Sequence, residues 1–299
     1  MTPPTTGPAL VRVAYGGQGV VELPDGACRE AKFRRSTGRP LCGDRVTVAP
    51  ADDTSLVVTA IEPRHNEFVR AGPRATRQAV AANLDQVLIV VAPRPEPSRD
   101  LLERYLVAVH SLGIRPLIVL NKSELMDSAA LDRESPLRRL DGYRELGFGV
   151  LEVSCKAAPG TEALPPALAG RCSILVGQSG VGKSSLANAL LPDLQLQTGE
   201  LSRVTGKGTH TTTSTIMYRL PCGGRLIDSP GVWEYGLWEM SQAELAAGFG
   251  EFAPFAADCR FNDCRHAGEP GCAVRAAVQA GSVRSWRYEA YLRLLAQKV

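Results

Sequence analysis

The stretch Arg171–Leu190, RCSILVGQSGVGKSSLANAL, decides the fold. SILV is a continuous apolar run, the pattern of a strand buried on both faces. SLANALL reads as a helix. Between them Gly177-Gln178-Ser179-Gly180-Val181-Gly182-Lys183-Ser184 matches the G-x-x-x-x-G-K-[ST] pattern. Its glycines permit a turn that aims backbone N–H groups at phosphate oxygens. Lys183 is placed to reach the β- and γ-phosphates, and the Ser184 hydroxyl to ligate Mg²⁺. The helix opening at Ser184-Ser185 adds its positive end. Strand, phosphate loop and helix in direct succession predict an α/β domain with the ligand at the carboxyl ends of parallel strands.

Upstream, RPLIVLNK is a second strand running into Asn121-Lys122-Ser123-Glu124, and GVLEVSCK a third ending in Ser154-Cys155-Lys156. LDQVLIVVA and the amphipathic SRDLLERYLVAVHSLG precede them as strand and helix, the helix stopping at Gly113. Downstream, TSTIMYRL and GRLIDSPG form a strand pair, the second reaching Asp228-Ser229-Pro230-Gly231. In an ordinary GTPase the phosphate loop leads, DxxG follows, and NKxD and SAK close the domain. Here the second half comes first. A circular permutation leaves the site intact, because the strand ends stay side by side in space.

The residues assign themselves roles in that site. Asn121 would face the N7/O6 edge of guanine, and the stem of Lys122 would lie over the ring. Glu124 would accept from N1–H and the 2-amino group, donors that adenine lacks on that edge. Cys155 replaces the alanine of SAK, which a backbone N–H to O6 tolerates. Asp228 would hold Mg²⁺ through water, and the Gly231 N–H would meet the γ-phosphate. Gly206–Thr213, GKGTHTTT, lies where switch I belongs. There Thr212 is a candidate for Mg²⁺ and His210 for positioning water. Val232 stands where Ras-type enzymes carry the water-orienting glutamine, so unassisted hydrolysis should be slow.

The flanks differ in texture. After a Pro/Thr-rich start, residues 1–9, expected to fray, VRVAY, GVVEL, CREAKFRR, DRVTVAP and SLVVTAIEP read as short strands broken by glycine turns. Five of these suit an OB-fold barrel. Arg29, Lys32, Arg34, Arg35, Arg39 and Arg45, against Glu30 and Asp44, make either a solvated hairpin or an RNA-facing one. HNEFVRAGPRATRQAVAAN reads as a linker. After DSPG, Ser241 and Glu244 have capping-box spacing. Cys259, Cys264, His266 and Cys272 then fall in a glycine-containing polar loop, a closed Cys₃His set for one structural Zn²⁺. Arg284, Arg287 and Arg293 interleave with Trp286, Tyr288 and Tyr291 in a last helix that either packs on the neighbouring domain or faces RNA.

Composition bounds the rest. The chain has 299 residues, 44% hydrophobic and 22% charged, close to a soluble globular average, with a net charge of +3. No apolar run is long enough to span a membrane, and the first residues lack a signal-peptide pattern. A cytoplasmic protein with reduced thiols is expected, its eight cysteines being metal ligands or scattered rather than paired.

Together the permuted order, GQSGVGKSS, HTTT, DSPG, the following GLW, and CRFNDCRH…GC resemble the RsgA (YjeQ) family over nearly the whole chain. The resemblance implies three parts: an all-β OB-fold domain at 1–69, a permuted P-loop GTPase domain at 70–236 and a helical zinc domain at 237–299. It implies a monomer that hydrolyses GTP with Mg²⁺, is stimulated by the 30S subunit, and acts in late 30S maturation, with the outer domains gripping 16S rRNA. Phosphate contacts are expected from the barrel hairpin and the C-terminal arginines. The departure is Glu124 where the family has Asp. Other readings are a permuted GTPase acting on another ribosomal particle, a nucleotide-regulated RNA-binding protein with little turnover, and a P-loop kinase or ATPase, against which NKSE and SCK argue.

Overall fold

In a computed structural model, residues 6–52, 55–71, 77–193, 215–228 and 240–297 are described. The first five strands are β1 (Gly7–Tyr15), β2 (Gln18–Glu22), β3 (Cys28–Phe33), β4 (Arg45–Pro50) and β5 (Leu56–Ile61). They pair in the order β1-β2-β3-β5-β4, and a β1–β4 pairing closes the ring. The β3–β5 pair is parallel and the others antiparallel. This is the expected OB-like barrel, filled by Val11, Val21, Ala31, Val46, Val48, Leu56 and Val58. The expectation that residues 1–9 fray is corrected from Gly7 on. Gly7, Pro8 and Ala9 pair with Val48, Thr47 and Val46, because the barrel closes through them.

The segment read as a linker is instead a hairpin, β6 (Glu67–Ala71) with β7 (Arg77–Ala82). Phe68 and Ala81 are fully buried, and Ala81 bridges to Cys42 of the barrel. Gly43 is required at that contact. Its φ is +96°, and a Cβ would lie 2.1 Å from the Ala82 carbonyl. The sequence hid this strand pair because its apolar residues are mostly alanines.

The central sheet runs β10 (Gly149–Glu152), β9 (Arg115–Leu120), β8 (Gln86–Val91), β11 (Cys172–Val176), β13 (Arg225–Asp228), β12 (Thr215–Arg219). Its first five strands are parallel, and β12 is antiparallel. β8 is buried at every position because both faces are covered. Val87, Ile89 and Val91 enter the core under helix α1 (Leu101–Ser111). Leu88 and Val90 enter the core on the other face, under α3 (Leu164–Leu168) and α4 (Lys183–Leu190). A short α2 (Leu140–Glu145) lies between β9 and β10 in sequence.

β1 also pairs with β12, so barrel and central domain share one continuous sheet. Arg12, 2% exposed, pins the joint by donating to the Met217 carbonyl at 2.6 Å and to Glu22 at 2.6 Å. The C-terminal module consists of α5 (Gln242–Ala247), α6 (Ala253–Ala256), α7 (Ala273–Gln279) and α8 (Ser285–Ala296). Its core of Leu245, Phe249, Phe252, Val274, Tyr291 and Leu294 takes in Val107 of α1. The capping box opens α5 as read, with Ser241 Oγ accepting from Glu244 N–H and the Glu244 carboxylate from Ser241 N–H.

Candidate nucleotide site and metal centre

All the nucleotide signatures within the described residues sit at the carboxyl edge of the parallel sheet. β9 delivers Asn121, β10 Ser154, β11 Gly177 and β13 Asp228. The phosphate loop lies over β8. Gly177 has φ +142°, and a Cβ there would stand 2.2 Å from the Val90 carbonyl. Gly182 has φ +94°, and its Cβ would meet Asn121 Nδ2 at 2.3 Å. Close approach to two neighbouring strands thus requires both glycines.

The base-reading segment is locked to that loop. Asn121, 2% exposed, donates through Nδ2 to the Val181 carbonyl at 2.8 Å. Lys122, with φ +58°, donates to the carbonyls of Gly180 at 2.6 Å and Arg94 at 2.8 Å. Ser123 holds the Val153 carbonyl through Oγ at 3.1 Å. Ser154 Oγ accepts from the amides of Lys156 and Ala157, both at 3.0 Å, shaping the SCK turn around the exposed Cys155. Partial desolvation of the thiol, and then the Glu124 carboxylate beside it, raise the Cys155 pKa, which places positions 124 and 155 together.

Three buried polar atoms in this region have no hydrogen-bond partner: Asn121 Oδ1, Glu124 Oε2 and Gln178 Oε1. Desolvated acceptors of this kind cost free energy unless a ligand satisfies them. A carboxylate oxygen at position 124 fits a base that presents two donors on one edge, as guanine does. Lys183 is half-buried and donates to the Gly177 and Gln178 carbonyls at 2.7 and 2.6 Å. Burial lowers its pKa to about 8. Ser184 and Ser185 are exposed at the first turn of α4, and Asp228 ends β13 opposite Ile216. Ser184 and Asp228 are the residues that would hold Mg²⁺, a hard ion suited to their oxygens. His210, Thr212, Gly231, Val232 and the whole stretch Gly206–Thr213 lie outside the described residues.

The metal set assembles. The ligand atoms of Cys259, Cys264, His266 and Cys272 all lie within 4.8 Å of one another. His266 Nδ1 is 3.6 Å from Cys259 Sγ and 3.5 Å from Cys272 Sγ. Tetrahedral Zn²⁺ with sulfur at about 2.3 Å spaces its ligands by roughly 3.8 Å, so the set fits a structural zinc ion. The amino end of α7 turns amides toward it. Arg275 N–H donates to Cys272 Sγ at 3.4 Å, and those of Ala273 and Val274 to Cys259. These bonds stabilise thiolates. Sequence reasoning missed the supports. Glu269 accepts from the amides of Arg265, Ala267 and Gly268. Tyr288 and Tyr291 of α8 donate to the carbonyls of His266 and Arg265, both at 2.6 Å.

The same helix decides the reading left open for its arginines. Arg284 pairs with Glu145 at 2.5 Å, Arg293 with Asp100 at 2.7 Å, and the fully buried Arg287 with Glu251 at 2.6 Å. Arg287 and Arg293 serve packing, so the expectation that they contact phosphates is corrected for these two, while Arg284 and Glu145 form a pair at the surface. The acids that claim them are far away in sequence. Likewise Asp44 is no surface charge: it is fully buried and holds Arg64 through both carboxylate oxygens at 2.7 Å.

The RsgA GTPase family model matches residues 61–238. The small ribosomal subunit biogenesis GTPase RsgA of Pseudomonas aeruginosa is 42% identical over 294 residues, 98% of this chain and 86% of that protein. The chain belongs to the RsgA GTPase family. A protein of the same name from Chromohalobacter salexigens is 46% identical over 253 residues, 85% of this chain and 74% of its own length. Among solved structures, YjeQ from Thermotoga maritima matches with a TM-score of 0.77 and 29% identity, covering 98% of both chains. YloQ, described as a circularly permuted GTPase, matches at 0.75 and 25% identity, covering 99% of this chain and 96% of its own. As a member of the RsgA family the protein hydrolyses GTP, with Mg²⁺ accompanying the nucleotide.

Proposed function

We propose that this GTPase acts on the small ribosomal subunit in the cytoplasm, as a monomer whose barrel and zinc module contact 16S rRNA. The names of its curated relatives support the subunit, since each is a small ribosomal subunit biogenesis GTPase. The exposed Arg34, Arg35 and Arg39 at one end of the barrel support an RNA contact. Among the described residues no helix is long and apolar enough to cross a membrane. The division into 1–69, 70–236 and 237–299 remains part of the proposal.

One observation carries the nucleotide assignment: the buried Glu124 oxygen without a partner, beside Lys122 and the phosphate loop. Glu124 takes the two donors of guanine, Asn121 the N7/O6 edge, and Lys122 covers the ring. A backbone amide at Cys155 meets O6, while Ser123, Ser154 and Lys156 shape the loops around it. Gly177–Ser185 envelops the phosphates, with Lys183 leaving the loop carbonyls for phosphate oxygens. Ser184, and Asp228 through water, would hold Mg²⁺, which would supply charge neutralisation at the phosphates. Water adds to the γ-phosphorus, the bond to the β–γ bridging oxygen breaks, and that oxygen leaves on GDP. His210, Thr212 and Gly231 are the proposed water-positioning, Mg²⁺ and γ-phosphate contacts. With Val232 in the glutamine position, turnover depends on a group supplied by the particle. The test is GTP turnover of the full chain alone, with 30S and with 50S subunits. Stimulation by 30S is expected, and stimulation by 50S alone would overturn the small-subunit assignment.

A further inference from the structure

The loop joining β8 to α1, Ala92-Pro93-Arg94-Pro95-Glu96-Pro97-Ser98-Arg99-Asp100, matches no nucleotide signature. Yet it touches the nucleotide site at one end and the C-terminal module at the other. At the first end the Arg94 carbonyl accepts from Lys122 Nζ at 2.8 Å. Pro95 lies so close to Gly180 that a Cβ there would stand 3.4 Å from its ring. At the other end Asp100 takes a forked contact from Arg293 of α8, Oδ1 to Nη2 at 2.7 Å and to Nε at 2.9 Å. Three supporting contacts lie alongside. Arg99 faces Glu289 at 3.8 Å, Arg104 donates to Gln297, and Arg287 stands 3.8 Å from Glu103. Three alternate prolines fix φ at every second residue from 93 to 97, so the loop carries displacement instead of absorbing it.

We infer that Asp100 and Arg293 are positioning residues for guanine nucleotide. Through this proline-braced strut, the seat of α8 on α1 sets the carbonyl that anchors Lys122, and so the rate at which GDP leaves. The inference rests on the assignment of Lys122 to the base site. It gives the zinc module a route to the nucleotide separate from the chain connection after Asp228. A partner that shifts α8 would loosen GDP by that route. Coupling of this kind is reciprocal, so GDP must also tighten α8.

The experiment is release of a fluorescent GDP from the full-length protein, with hydrogen exchange of α8 amides. Asp100→Asn and Arg293→Gln should each speed release about five-fold or more, within the usual range of coupling between sites. Arg293→Lys, which keeps charge but loses the fork, should fall between. The exchanged pair Asp100→Arg with Arg293→Asp should return toward the wild-type rate, which a merely structural defect would not do. In the wild type, GDP should slow exchange across Ser285–Ala296, a readout that needs no variant to fold. Wild-type release in both single variants, an exchanged pair as fast as the singles, or α8 exchange indifferent to GDP would each overturn the strut. Lys122→Ala separates the two claims. If it leaves GDP affinity unchanged, the base-site assignment fails; if it weakens GDP while Asp100→Asn does not, only the strut fails.

Discussion

In the proposed site Glu124 carries the choice of base. Its Oε2 is buried without a protein partner, and on that assignment guanine would supply the donors that the fold withholds. Adenine would leave the carboxylate facing an acceptor. Glu124→Ala is expected to weaken GDP by about 2 kcal/mol or more, and Glu124→Asp to keep or improve binding. Competition of GDP and ADP against a labelled guanine nucleotide measures both, and equal competition by the two would refute the assignment. Lys183 gives the site a pH dependence. Burial holds its pKa near 8 without nucleotide, against an ordinary 10.5. In the proposed complex, phosphate oxygens would raise it again. Above pH 8 the free protein has therefore lost a proton that the complex must regain. GDP affinity should be flat from pH 6.5 to about 7.5 and fall above pH 8 by up to about tenfold per unit. Isothermal titration between pH 7 and 9 checks the slope, which should vanish in Lys183→Met. The same lowered pKa makes the nucleotide-free fold gain stability, not lose it, as pH rises from 8 to 10.5, because there the unfolded chain binds the extra proton.

The zinc loop is the element that depends most on its ligand. Between Asp258 and Gly271 most side chains are exposed, so the loop has little apolar burial of its own. Its order comes from the four ligands, the Glu269 carboxylate and the two tyrosines of α8. One zinc ion per molecule is expected by metal analysis, and Cys264→Ala should lower that occupancy. Chelation should raise hydrogen exchange in the loop and in α7 before β8 or β11 responds, since binding energy there is folding energy. Exchange rising uniformly along the chain would contradict a local role. At the start of the same module, Ser241→Ala removes the hydroxyl of a complete capping box. It should cost about 1 kcal/mol, read as a shift in the urea midpoint at unchanged slope.

At the scale of the molecule, charge is divided between packing and partner. Arg287 and Arg293 are committed to acids of the central domain and its module, so they do not add to a nucleic-acid footprint, whereas Arg284 stays exposed beside Glu145. Arg34 and Arg35 are exposed and outside the nucleotide domain. Reversing both charges should weaken association with 30S subunits and flatten its salt dependence, leaving basal hydrolysis unchanged. Added 30S should raise turnover of the wild type by about tenfold or more, within what an added transition-state group supplies. Sedimentation at several salt concentrations and a phosphate-release assay measure the two. Reversal of the buried Arg287 should instead unfold the module junction, since it would set an anion against Glu251 and Glu103.

By itself the sequence determined the barrel, the parallel sheet, the permuted order and the ligand sets. Each is written in local pattern: alternation in β1–β5, the unbroken apolar run of β8, and glycines and polar residues at fixed spacing around Lys183 and Cys264. The physical reason is that strand burial and loop geometry are set by neighbours in the chain. Tertiary structure alone decided the rest. It turned an alanine-rich linker into the hairpin β6–β7, because Gly43 lets the barrel close on Ala82. It buried Asp44 under Arg64, gave Arg293 to Asp100, and set Arg94 and Pro95 against Lys122 and the phosphate loop. These partners are distant in the chain, and a charge read without its counter-charge looks like surface. Only the fold brings the two together and removes them from water, and that desolvation separates an arginine that packs from one left to meet RNA.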